Sequence, residues 1–233
     1  MRSADNAWIT IPNDVVVKEG AEPIDWLPYD NYQYDKFMLR ELKNEKQDLI
    51  ETALVFREGF QVIKGCEFDI LFDPDGVLAM AGGNNENFNR GENKIFVIER
   101  TDQKEIVSCF ILRMMKKMRN LEWLVVVSKG KKNPRITLKF AKSLDEYISR
   151  CGVEMAFAWT NAIHIVTQLG LFKIGYKFRG IAPGMYRIWA GENNYRRTIE
   201  LFAQKFYNGA DKMVTKDIKL LPWLGHIGKM WGK

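Results

Sequence analysis

The sequence predicts an α/β (α+β) domain: one mixed, mostly antiparallel sheet with helices on both faces, extended at its N- and C-termini. Three observations carry this. Strand-like apolar runs alternate with segments of helical period between about residues 60 and 190. Asn133-Pro134 and Gly152 bracket a helix with a start and a stop signal. At 233 residues and 46% hydrophobic content, the chain can bury a substantial core.

Taken in order, residues 1–32 show little periodicity, with Trp8, Pro12, Pro23, Trp26 and Pro28 around Val15, Val16 and Val17, and predict an irregular wrap. Residues 34–60 turn helical through Leu39, Leu42, Leu49, Ala53 and Phe56, with a break near Lys43 and a stop at Gly59. Asp73-Pro74-Asp75-Gly76 between the apolar runs 68–72 and 77–80 predicts a hairpin turn. The Asn- and Gly-rich run 82–93 is a mobile surface loop that could cover a site, or a plain linker.

A second hairpin is expected across Thr101-Asp102-Gln103-Lys104, joining strands 95–99 and 106–112. A third strand spans 121–127, so the sheet begins as an antiparallel meander. The helix from Asn133 keeps its period through Ile136, Phe140, Leu144, Tyr147 and Ile148 to Gly152. Residues 153–159 then form a strand, Asn161 caps a helix reaching about Phe172, and strands 176–181 and 185–189 flank Pro183-Gly184. Residues 195–207 read as a helix, followed by a tail of Leu, Trp, Gly and Lys. The expected organisation is an N-terminal extension with helices (1–60), a core (61–191) and a C-terminal helix and tail (192–233).

Composition narrows the classes. The longest apolar runs fall far short of the roughly 20 residues of a membrane span, and no export signal is visible. Cys66, Cys109 and Cys151 stand singly in apolar segments, as reduced thiols of a cytoplasmic protein do, and form no metal-ligand pattern. The net charge of +6 is spread over 35 basic and 29 acidic residues. No nucleic-acid recognition motif accompanies it.

Residues 121–180 run strand, basic loop, helix, strand, helix, strand, and set two helix N-termini beside neighbouring strand ends, a layout suited to a phosphate-bearing ligand. The loop into the first helix, Lys129-Gly130-Lys131-Lys132-Asn133-Pro134-Arg135, adds positive charge to unpaired helical amides. The same lysines would also serve as an ordinary solvated loop. Further on stand His164, Thr167, Gln168, Gly175, Tyr176 and Gly180. His164 and Gln168 are four residues apart on one helical face, and His164 could relay a proton or tether its helix to a backbone carbonyl.

This order of elements resembles the Gcn5-related N-acetyltransferase (GNAT) superfamily over residues 60–190, and the spaced set from His164 to Gly180 is similar to a pattern of the β-lysine acetyltransferase subgroup. The resemblance implies a GNAT-like fold and transfer of an acetyl or other acyl group from acyl-coenzyme A to a small-molecule amine, without a metal. It implies that Val127, Lys129, Gly130, Lys131, Lys132, Asn133, Arg135, Ile136 and Thr137 hold the coenzyme A. It makes Glu122, on the strand before the loop, a candidate base, where pairing with Arg119 is the structural alternative. Trp123, Trp159 and Gln168 are the expected substrate contacts. Three positions depart from the superfamily: Arg135 and Thr137 stand where glycine and a small residue are usual, and Leu171 where many relatives carry a tyrosine acid.

The competing reading is a non-catalytic module of the same fold that senses a ligand or binds a protein. The tail's Leu220, Trp223, Leu224, Ile227 and Trp231, with Lys216, Lys219 and Lys229, would pack over its own domain or form a homodimer contact.

Overall fold

The computed structural model describes residues 22–65, 68–82, 92–130, 134–162, 164–192 and 194–213. The predicted tail, most of the 82–93 loop and Val15–Val17 lie outside these residues. Residues 22–31 wrap irregularly, as expected. Trp26 stacks on Tyr147 with ring centroids 6.3 Å apart, and Tyr147 Oη donates to the Leu27 carbonyl at 2.5 Å.

Strands β1 (Tyr32–Tyr34) and β2 (Phe37–Glu41) come first, and the helical period holds only for α1 (Lys46–Gly59). The helix expected from residue 34 therefore begins a dozen residues later. Phe37 and Leu39 are both buried, and an alternation this short blends into the i, i+3 spacing that follows it. Asp48 in the first turn of α1 anchors the helix to β2. It accepts from the Lys43 N–H at 3.0 Å and from both terminal Arg40 nitrogens at 2.6 and 2.9 Å.

The hairpin expected over 68–80 is instead a short 3₁₀ turn (Asp69–Phe72) and helix α2 (Pro74–Ala81). Asp73 Oδ1 caps the Asp75 N–H at 2.9 Å and Pro74 occupies the first turn, the same start signal as at Asn133-Pro134. Gly76 serves a close approach rather than a turn. A Cβ there would lie 1.9 Å from the Ile70 carbonyl oxygen.

The meander is as expected: β3 (Glu92–Arg100), β4 (Glu105–Met115) and β5 (Asn120–Ser128), all antiparallel. Helix α3 (Pro134–Arg150) follows within the predicted bounds, then β6 (Met155–Asn161) and α4 (Ile165–Lys173). The two strands expected around Pro183-Gly184 are one irregular strand, β7 (Lys177–Gly191), whose register shifts between Pro183 and Arg187.

The helix expected over 195–207 is a strand, β8 (Asn194–Phe206), inserted between β6 and β7. Its pattern is inverted. Thr198 and Glu200 are buried while Ile199 is 48% exposed, so the usual apolar-in alternation gives no strand signal.

The sheet order is β1-β2-β3-β4-β5-β6-β8-β7, with one parallel pair, β5 and β6. One core packs α3 on Phe96, Phe110, Leu121 and Trp123; the other packs α1 and α2 on Val97, Cys109, Ile111, Val125 and Val127. Helices thus cover both faces. Among the described residues no helix is long and apolar enough to cross a membrane.

Candidate active site

The site begins with one extra residue. In the β4–β5 ladder Ile111 faces Val125 and Leu112 faces Trp123, which leaves Leu124 without a counterpart, a β-bulge. Leu121 and Trp123 point into the α3 core, whereas Val125 and Val127 point into the α1/α2 core. Burial along β5 alternates without a break, so only the face changes. The pairing of β5 with β6 runs from Asn120/Met155 to Trp123/Ala158 and stops there. Beyond the bulge the two strands fork.

The fork opens a cleft of about 670 Å³, walled by β5 from Glu122 to Ser128, by β6 from Ala158 to Asn161, and by Phe60, Ile63 and Phe68 on the α1 side. Gly59 brings α1 onto the end of β5, where a Cβ would sit 2.4 Å from the Ser128 carbonyl oxygen. The Lys129 N–H bonds the Val107 carbonyl at 2.9 Å. Counting back along the antiparallel ladder, Val127 and Val125 use their main-chain groups on β4, and those of Val126 and Ser128 face the fork.

Trp123 sits at the crotch, held by a buried polar chain. Its Nε1–H donates to Tyr176 Oη at 2.6 Å, Tyr176 and Tyr207 hydroxyls lie 3.2 Å apart, and Tyr207 Oη donates to Asp145 Oδ1 at 2.5 Å. Lys205 closes the chain on Asp145. Burial pushes the Tyr176 and Tyr207 phenols up, so both stay protonated donors.

Of the residues predicted from sequence, Glu122, Trp123, Val127, Gly130, Thr137, Trp159 and His164 line the cleft. Glu122 takes Arg113 Nε at 3.1 Å and Nη2 at 2.6 Å on one carboxylate oxygen, with both side chains 12% exposed. The alternative pairing with Arg119 is not made, because Arg119 bonds Glu154 Oε1 at 2.8 Å. Thr137 Oγ1 lies 3.0 Å from Ser128 Oγ and ties the first turn of α3 to β5.

His164 is the N-cap position of α4 without a side-chain capping bond, and partial burial lowers its imidazole below the usual value. The tethering considered for His164 is done by Gln168. Its Nε2 donates to the carbonyls of Asn161 at 3.2 Å and Ala162 at 2.8 Å, which turns it away from the cleft it was expected to share. Lys129 Nζ is taken up by Glu105 at 3.2 Å, Arg135 is exposed, and Ile136 packs on the α3 core. Lys131, Lys132 and Asn133 lie outside the described residues.

Glu200 is the functional candidate that sequence reasoning missed. It comes from β8, lines the cleft and is 4% exposed. Burial raises its pKa, opposed by a hydrogen bond from Thr198 Oγ1 to Oε1 at 2.6 Å. The usable signal was the alternation of Thr198, Glu200 and Phe202, two apart, which points three residues at one face once the segment is known to be a strand.

No protein-family model matches the chain, and no curated protein matches it. Solved structures do. The ribosomal-protein-S5-alanine acetyltransferase from Vibrio fischeri superimposes with a TM-score of 0.61 at 12% identity, over 77% of this chain and 98% of that one. The fold is the GNAT fold. Two further GNAT-fold neighbours agree: a spermidine N-acetyltransferase mutant from Vibrio cholerae (TM-score 0.57, 12% identity, 75% and 96% covered) and a Salmonella typhimurium protein solved with its cofactor acetyl-CoA (0.56, 14%, 75% and 95%). At such identities the likeness shows the GNAT fold itself.

Proposed function

We propose that this chain transfers an acetyl or other acyl group from acyl-coenzyme A to the amine of a small molecule. The observation that carries the reading is the fork between β5 and β6, along whose edge the main-chain groups of Val126 and Ser128 pair with no strand among the described residues. The pantetheine arm of an acyl-coenzyme A is an extended chain bearing amides, and such a chain can pair with a strand edge as an added strand would. Val125, Val127 and Trp123 supply apolar walls on either side. At the mouth, α3 is a 17-residue helix whose first turn lies beside Ser128 and Gly130, which suits the pyrophosphate. The residues present fit the group.

The loop charge expected to help the phosphates has moved in part, since Lys129 is neutralised by Glu105. Lys131 and Lys132 remain the proposed phosphate contacts, and the likeness to the β-lysine acetyltransferases rests on the spaced set from His164 to Gly180, of which His164 and Thr167 line the cleft. A cytoplasmic location goes with the buried free thiols of Cys109 and Cys151. Glu122 is engaged by Arg113 at 2.6 Å on one carboxylate oxygen, so that oxygen is taken up within the fold rather than offered to an amine. That pairing is the observation that favours the second reading, a ligand-sensing module without turnover.

Titration calorimetry with acetyl-CoA tests the reading. Binding is expected for the wild type, and Val126→Pro should weaken it about tenfold, the loss of one well-placed hydrogen bond. Proline at 126 removes the fork-facing N–H and leaves the β4 ladder intact. Equal affinity in the two proteins would put the acyl donor elsewhere.

A further inference from the structure

The cleft holds two carboxylates, and their surroundings differ. Glu122 carries a guanidinium on one oxygen. Glu200 is buried more deeply, yet among the described residues no basic side chain ion-pairs with it, and its near polar partner is the neutral hydroxyl of Thr198. Its cross-strand neighbours are Asn161 on β6 and Ala182 on β7. Among the described residues, the other charged or titratable groups lining the cleft are Glu122 of β5, His164 at the start of α4 and Arg187 of β7, whose guanidinium lies over the Tyr195 ring at 3.8 Å. Phe60, Ile63 and Phe68 close the α1 side without charge. A buried carboxylate among such walls is costly to ionise unless a cation arrives to meet it.

We propose that Glu200 is where the acceptor amine docks and the base that takes its proton, and that the acceptor carries one positive charge on an otherwise apolar body. This rests on the acyl-transfer reading above and names its substrate class. One carboxylate without an ion-pair partner among the described residues receives one ammonium. Phe60, Ile63, Trp159 and Ile188 favour an alkyl or aryl remainder over a second cation. A polyamine would bring charges that the described cleft leaves without partners.

The chemistry balances. The entering ammonium gives one proton to the Glu200 carboxylate and becomes a free amine, whose lone pair attacks the thioester carbonyl carbon. The tetrahedral adduct collapses with cleavage of the C–S bond, and its electron pair leaves on sulfur. The second amine proton goes to that thiolate, giving the amide and free thiol, and Glu200 releases its proton to solvent.

The experiment uses the full chain with acetyl-CoA and, as probes, hexylamine, phenethylamine and spermidine. Acetyl-CoA affinity is measured first, by calorimetry. If the wild type binds none, the acyl-transfer reading itself falls, and this proposal with it. Hexylamine alone should raise the melting temperature of the wild type and not that of Glu200→Gln, a readout independent of turnover.

In assays, Glu200→Gln should keep its acetyl-CoA affinity and lose about 10²–10⁴-fold in kcat/KM for the monoamines. Thr198→Val, which removes the hydrogen bond favouring the ionised carboxylate, should move the ascending limb of the pH profile to higher pH. Glu200→Gln with wild-type kcat/KM, an unmoved limb in Thr198→Val, spermidine preferred to hexylamine, or bound acetyl-CoA with no monoamine turned over would each overturn the proposal.

Discussion

At the scale of single residues, the contrast between Glu122 and Glu200 shows how little a residue type says about its chemistry. Both are glutamates on strands that border one cleft. A guanidinium ion-pairs with one, and burial leaves the other, Glu200, readier to hold a proton. The second has a consequence for stability. Because the folded-state pKa of Glu200 lies above its ordinary value, the folded chain binds that proton more tightly than the unfolded chain does. The resulting stability is fully present below the ordinary carboxylate range and is lost as pH rises through the raised value. Glu200→Gln cannot titrate, so its melting temperature relative to the wild type should improve from acid to neutral pH. A difference constant with pH would place the Glu200 pKa at its ordinary value.

At the scale of elements, the outcome turned on whether local chemistry had one meaning or two. Asn133-Pro134 and Gly152 bracket a 17-residue helix with a long apolar stripe, and α3 is where they place it. Asp73-Pro74-Asp75-Gly76 carries the same cap and the same proline, but its glycine also suits a turn. What decides between them is the Ile70 carbonyl, six residues back in sequence and in contact only once the chain has folded. Gly76→Ala should therefore cost about 1–3 kcal/mol in urea unfolding, as an overpacked site does, although alanine is the better helix former. A gain in stability would show that the contact at Ile70 relaxes freely.

At the scale of the whole molecule, the cleft belongs to no single element. It needs the bulge at Leu124 to turn β5, the end of β5–β6 pairing at Trp123 and Ala158, α1 drawn close at Gly59, and β8 brought in from some forty residues beyond β6. A ligand that fills such a junction bridges all of them and stabilises the native state as a unit. At a hundredfold excess over its Kd, acetyl-CoA should add about 2.7 kcal/mol to the unfolding free energy, in a single transition. A second, unshifted transition would mean that part of the sheet unfolds independently of the site.

The sequence by itself determined the meander, α3, β6 and α4, and with them the GNAT-like order of elements, because each is a local pattern of period and caps. It also reached Glu122, Trp123, Thr137, Trp159 and His164, which line the cleft by virtue of where those elements end. Tertiary structure alone decided that Arg113 neutralises Glu122, that Gln168 turns back on its own helix entrance, and that Lys129 spends its charge on Glu105. It also decided that 194–206 is a strand, since a polar face buried against a cleft reverses the pattern by which strands are recognised. Glu200 follows from that reversal. Its environment is made by β7, the strand just before it, and by β6 and the residues Phe60, Ile63 and Phe68, which are far from it in the chain.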